Sequence, residues 1–157
     1  MKYKSYRLMR PEFNTHSDLW ADDGSLRDVY IQDMQLQNWD RFDSLLRHHE
    51  LAYSFDGKPA CFPGSRAIFS NREGGHLLSV MLGQVSVNCH FFVESQLELD
   101  ISPREILGNA EHDAVLDFIE QLALGLELPA DVTPENAEAR PMLSYSPRVR
   151  CWTVHSH

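Results

Sequence analysis

The residues that could do chemistry in this chain are eight histidines, three cysteines and an unusually dense set of carboxylates. None falls into a spacing that fixes a known reaction. The histidines (His16, His48, His49, His76, His90, His112, His155 and His157) form no HxxxH or HExxH pair, and Cys61, Cys89 and Cys151 form no CxxC. The spacing that usually announces a bound metal is therefore missing, and no metal or cofactor is expected. His155 and His157, flanking Ser156, would at most chelate adventitious metal. Cys89 and His90 are neighbours, but adjacent residues of a strand point to opposite faces, so they cannot form a thiolate–imidazole pair. Cys89 is expected to pack in the core, with His90 on the far face beside Ser86, Asn88 and Phe92. No serine sits in a nucleophile elbow, and Gly74-Gly75 precedes a strand, not a phosphate-cradling helix N-terminus. No catalytic residue is assigned.

The carboxylates are more informative. Glu98 and Asp100 lie two apart on an expected strand and share a face. Asp113, Asp117 and Glu120 recur at helical spacing, and Glu127 continues the line. No interleaved lysine offsets the like-charge repulsion, which costs a helix a few tenths of a kcal/mol per pair, about 0.2–0.5. Such a face is a docking stripe for a basic partner, a cation site, or a solvated surface serving solubility. His90 and Phe92, an aromatic beside polar groups, have the composition of an interface centre if they are exposed.

These groups need elements to position them. The first 27 residues show no sustained period and are expected to be irregular, with Tyr3, Tyr6, Phe13 and Trp20 as anchors. Val29-Tyr30-Ile31 reads as a strand. Gln35–His49 has helical periodicity, with Asp33 as its cap and Leu36, Trp39, Phe42, Leu45, Leu46 and His49 on one side. Leu51–Phe55 alternates as a strand ending in the turn Asp56-Gly57, and Ser65–Arg72 reads as a short helix over Ile68 and Phe69. Leu77–Leu82 and Val85–Val93 alternate about Gly83-Gln84 as a hairpin, and Leu97–Ile101 gives a strand with an acidic outer face. Ser102-Pro103-Arg104-Glu105 has the pattern of a capping box. A second long helix runs from Asn109 or Ala110 through Val115, Phe118, Ile119, Leu122 and Leu126, bracketed by Gly125 and Pro129. Val132–Asn136, Met142–Tyr145 and Cys151–Val154 supply further strands.

The implied fold is α+β: one domain over 1–157, its compact core at 28–157, with a mostly antiparallel sheet of about five to seven strands and two main helices packed on one face. A length of 157 residues buries a real core without staples. Three widely spaced cysteines argue against a disulfide framework and, with no apolar leader after the basic start, place the chain in the cytoplasm. No apolar run approaches the roughly 20 residues of a membrane span. The net charge of −9 counts against nucleic-acid binding. It is also polarised: Glu94–Glu138 carries twelve acidic residues against Arg104, whereas Lys2, Lys4, Arg7 and Arg10 open the chain without an acid. Such a molecule steers toward a basic partner.

Several segments resemble small bacterial proteins of the toxin-immunity kind. They are the Asp28-Val29-Tyr30-Ile31 strand leading to the helix with Trp39, and the Asn88-Cys89-His90-Phe91-Phe92 strand. Asp100-Ile101-Ser102-Pro103-Arg104-Glu105 follows, then Thr133-Pro134-Glu135-Asn136 before the Leu143/Tyr145 strand, so the resemblance spans about residues 28–146. It implies an acidic α+β protein that blocks a cognate toxin without catalysing anything, and it carries over no catalytic residues. Two readings therefore stand. One is a binding protein that presents Asp113, Asp117, Glu120, Glu127, Glu98 and Asp100, with His90 and Phe92, to a basic protein. The other is a small enzyme whose site assembles from dispersed groups such as His90, His76 and a carboxylate. Self-association is a third possibility.

Overall fold

In a computed structural model describing residues 4–156, the alternating segments pair into one continuous antiparallel sheet. Its strands are β1 (Lys4–Leu8), β2 (Arg27–Gln32), β3 (Glu50–Phe55), β4 (Lys58–Ala60), β5 (His76–Leu82), β6 (Val85–Cys89), β7 (Gln96–Ile101), β8 (Ala130–Pro134), β9 (Leu143–Ser146) and β10 (Cys151–Ser156). The spatial order is β1-β10-β9-β8-β2-β7-β6-β5-β3-β4, which leaves β1 and β4 as the two edges. The helices are α1 (Leu36–Leu45), α2 (Ser65–Ser70) and α3 (Asn109–Leu126). The expected Tyr3 anchor, Lys2 and His157 lie outside the described residues.

The α+β class and antiparallel pairing agree with the sequence reading, but the described residues hold ten strands, not five to seven. Two of the extra strands have plain causes. β1 lies within the segment expected to be irregular, where it pairs with β10 from Lys4↔Ser156 to Leu8↔Trp152. Five residues are too few for alternation to stand out, and Tyr6, expected as an anchor, is exposed. β4 is only three exposed residues with Pro59 at its centre, completing a hairpin across Asp56-Gly57. Proline on such a strand is tolerated because this is an edge.

The registers divide the sheet cleanly. Val29, Ile31, Leu97, Leu99, Ile101, Val85, Val87, Cys89, Leu78 and Val80 point to one face, where they join Trp39, Phe42, Val115, Phe118, Ile119 and Leu122 in a continuous core. All three helices therefore cover this face. Each wholly buried large side chain contributes about 1.5–3 kcal/mol. Trp39 anchors the centre, edge-on to Phe42 and Phe69, with its indole N–H donating to the Glu94 carbonyl at 2.7 Å. Where α1 crosses α3, Gly125 permits the approach: a Cβ there would lie 2.6 Å from Leu45 Cδ1.

Several local expectations are corrected. The first helix stops at Leu45 and continues as a 3-10 turn over Leu46–His48. Leu36 is exposed rather than on the packed side. Asp33 takes a left-handed φ of 62° and does not cap the helix; Gln35 does, its N–H donating to Asn38 Oδ1 at 2.9 Å. Ser102–Glu105 does not close a capping box, because Glu105 accepts from the Ser86 N–H at 3.1 Å instead. The β6 alternation ends at Cys89 and does not reach Val93, because Phe91 turns the chain with φ 57°.

Candidate functional site

The face of the sheet away from the helices is polar over β8, β2, β7 and β6, while β5 and β3 add Leu77, Met81 and Ala52 to it. Cross-strand register aligns Asp28 with Asp100, Asp100 with Asn88, and Asn88 with Ser79, while Tyr30 stands opposite Glu98. Alternation forces this: on each strand the residues between the core positions must face the other way.

A hydrogen-bonded relay runs along the first row. Ser79 and Ser86 hydroxyls donate to Asn88 Oδ1 at 2.7 and 3.0 Å. Asn88 Nδ2 donates to Asp100 Oδ1 at 2.9 Å, and His90 Nε2 donates to Asp100 Oδ2 at 3.0 Å. Asp100 thus holds the His90 ring by one nitrogen, and the ring stacks on Phe92 at 5.2 Å and 15°. Phe92 is 56% exposed, next to the exposed Val93. Beside this row, the Tyr30 hydroxyl donates to Asp28 Oδ2 at 3.1 Å and also bonds Glu98. Burial, followed by the nearby carboxylates, holds the Tyr30 hydroxyl protonated far above the ordinary phenol range. Burial also raises the Asp28 carboxyl, against hydrogen bonds from the Asn136 N–H and Tyr30 that favour its ionised form. Glu98 is raised by burial first and then by Asp28, Glu138 and Asp100. The β8–β9 connection folds over the margin of this face: Asn136 caps Asp28 at 2.8 Å, and Glu138 bonds Gln32 and Gln96. Farther along, Asp131 accepts from the Ser144 hydroxyl at 2.6 Å.

His90 and Phe92 also border a shallow hollow of about 280 Å³ shared with His76, Arg72 and Gly74-Gly75. The histidines proposed for an enzyme site therefore do come together. His76 is nonetheless fully engaged: Nε2 donates to the Asn71 carbonyl at 2.8 Å and Nδ1 accepts from the Tyr53 hydroxyl at 2.7 Å. Cys89 is wholly buried on the opposite face, its thiol pushed up to about 12 by burial, so it offers His90 no nucleophile.

The other acidic group lies elsewhere. Asp113, Asp117, Glu120 and Glu127 belong to α3 and its end, on the helix side of the sheet, whereas Glu98, Asp100, His90 and Phe92 belong to the open side. The eight residues do not form one surface. The α3 stripe is also partly occupied from within. Arg10 pairs with Asp117 at 2.5 Å and with Glu120 at 2.5 and 3.1 Å, and the buried Trp152 indole donates to Glu120 at 2.7 Å. The offsetting cation absent from the helix is thus supplied by the basic start of the chain. Its signal was the charge asymmetry itself. Glu127 takes a left-handed φ of 58° and caps the helix end; Asp113 is exposed. The same N-terminal segment docks through His112, wholly buried, whose Nδ1 accepts from Trp20 at 2.9 Å and whose Nε2 donates to the Pro11 carbonyl at 2.9 Å.

Among the described residues no three His, Cys, Asp or Glu side chains are placed to hold a metal ion, and no helix is long and apolar enough to cross a membrane. No known family model, curated protein or solved structure matches the chain.

Proposed function

We propose that this chain is a non-enzymatic, intracellular binding protein that receives a basic protein partner on the open face of its sheet. The observation that supports it most is the face itself: Glu98 and Asp131 flank Tyr30 across β7, β2 and β8, Asp100 holds His90 to one side of them, and the exposed Phe92–Val93 pair stands at one end. Aligned carboxylates attract and orient a basic surface, and an exposed aromatic supplies the anchor that desolvates on contact. Partner binding by occlusion, as for the toxin-immunity proteins the sequence resembles, is the form of function this arrangement suits.

The enzymatic alternative has the His90–Asp100 pair in its favour, since a carboxylate orients an imidazole for proton transfer. Against it stand the saturated ring of His76 and the buried Cys89 on the wrong face.

The test is affinity capture of the tagged protein from lysate of its source organism, at low and high salt. The proposal expects one stoichiometric basic protein, released by salt. Retention of no protein at either salt overturns it.

A further inference from the structure

Apart from the open face, residues 15–25 cross the helix side of the sheet near the ends of β8, β9 and β10 and enclose a cleft of about 530 Å³. That volume lies within the range of small-molecule sites, roughly 300–1,000 Å³. Its lining is mostly polar, with Ala21, Pro134, Met142 and Val154 as the apolar part, Met142 and Val154 being 5% and 1% exposed.

Its wall is built rather than accidental. Arg27, 3% exposed, spends its guanidinium on the chain that forms the cleft. Nε donates to the Leu19 carbonyl at 2.6 Å, Nη2 to the Asp18 and Ala21 carbonyls at 3.0 and 3.1 Å, and Nη1 to Leu26 and Ser25 at 3.0 and 2.8 Å. All five donors are used, so Arg27 fixes the wall and has none left for a ligand. Asp23 is likewise engaged, accepting from the Ser25 N–H and hydroxyl and lying 3.7 Å from Arg27.

What remains at the rim is Arg140, whose guanidinium makes no hydrogen bond or ion pair with another described residue, and His16, whose ring is likewise unengaged. The Asp18 and Asp23 carboxylates in the same lining repel any anion, and a doubly charged one more than a singly charged one.

We propose that this cleft binds a small monocarboxylate with an aliphatic body, its carboxylate on Arg140 and its alkyl part on Met142 and Val154. Arginine matches a carboxylate through two parallel N–H donors, and the apolar part of the lining supplies the remaining contact. This site is independent of the partner-binding face, so either can fail without the other.

The test follows the Met142 and Val154 methyl resonances by NMR while 4-methylpentanoate, 4-methylpentanamide or inorganic phosphate is added to the full chain. The carboxylate should give a saturable shift with a Kd of about 1 mM, as befits eight heavy atoms. The amide, and the carboxylate on an Arg140→Gln variant, should bind at least about tenfold more weakly. Phosphate should leave both methyl groups unmoved. Arg140 is exposed and its side chain makes no hydrogen bond or ion pair with another described residue, so the variant keeps the fold. Equal binding of acid and amide, equal binding by the variant, displacement by phosphate, or no saturable shift of either methyl would each overturn the proposal.

Discussion

Removing the Glu120 carboxylate should destabilise the chain far more than removing the arginine that pairs with it. Glu120 has two tasks. It accepts the indole N–H of Trp152, which is wholly buried, and it holds Arg10, whose side chain is 35% exposed. In Glu120→Ala the indole donor loses its acceptor inside the core, at a cost of about 1–3 kcal/mol. Loss of the Arg10 contact, discounted for its exposure, adds about 1 kcal/mol. The expected total is about 3 kcal/mol, which for a chain of this length lowers Tm by about 6–12 °C. Glu120→Gln keeps an acceptor for Trp152 and should cost only about 1 kcal/mol, as should Arg10→Met. Asp117→Asn, half-exposed, should cost about 0.5 kcal/mol or less. Urea unfolding followed by tryptophan fluorescence gives the order. If Arg10→Met proves as costly as Glu120→Ala, the Trp152 hydrogen bond is not what makes Glu120 matter, and the reasoning fails.

Three further outcomes are expected. A thiol reagent should modify exposed Cys61 first, Cys151 more slowly and Cys89 only on unfolding; labelling of native Cys89 at the Cys61 rate contradicts its burial. Glu98→Gln should stabilise the chain at neutral pH by up to about 1 kcal/mol, because burial and then Asp28, Glu138 and Asp100 disfavour its charge. The sign follows from the raised folded pKa: the ionised form is disfavoured in the fold, so stability is full below the unfolded carboxylate range and is lost as pH rises through the folded value. The gain should therefore vanish near pH ~4, and a loss of stability in Glu98→Gln at pH 7 would refute it. Gly125→Ala should lose about 1 kcal/mol, the clash with Leu45 outweighing the helix propensity gained, and Leu45→Ala should relieve that loss. Additive costs in the double variant would show that the two side chains do not meet.

Much of this fold was readable because alternation and helical periodicity report burial directly. The β5–β6–β7 pattern gave both the core positions and the polar row of Ser79, Ser86, Asn88 and Asp100, and α3 was legible over nearly its whole length. The failures fall where local pattern is weak or long-range pairing decides. β1 and β4 exist through their neighbours β10 and β3, and five or three residues carry too little periodicity to reveal them. Phe91 turns out of an alternating run by adopting a left-handed φ that no residue type announced.

The candidate site was legible in its parts and not in its assembly. Glu98 and Asp100 share one face of β7 as alternation implies, whereas His90 and Phe92 lie past the end of β6 and reach that side through the His90–Asp100 bond and the stacking of Phe92 on His90. Joining them to Asp113, Asp117, Glu120 and Glu127 failed, because whether a helix packs on the acidic or the apolar side of a strand is a tertiary fact. Arg10 lies 110 residues from Glu120 in sequence, and only folding reveals that the basic start neutralises part of the acidic helix.

The most direct test of the central claim compares capture of a basic partner by the wild-type chain, by Glu98→Lys with Asp131→Lys on the open face, and by Asp113→Lys on the helix side. The account predicts that the open-face pair abolishes salt-sensitive capture while Asp113→Lys retains it. Loss of capture in Asp113→Lys with retention in the open-face pair would contradict it and assign binding to the helix.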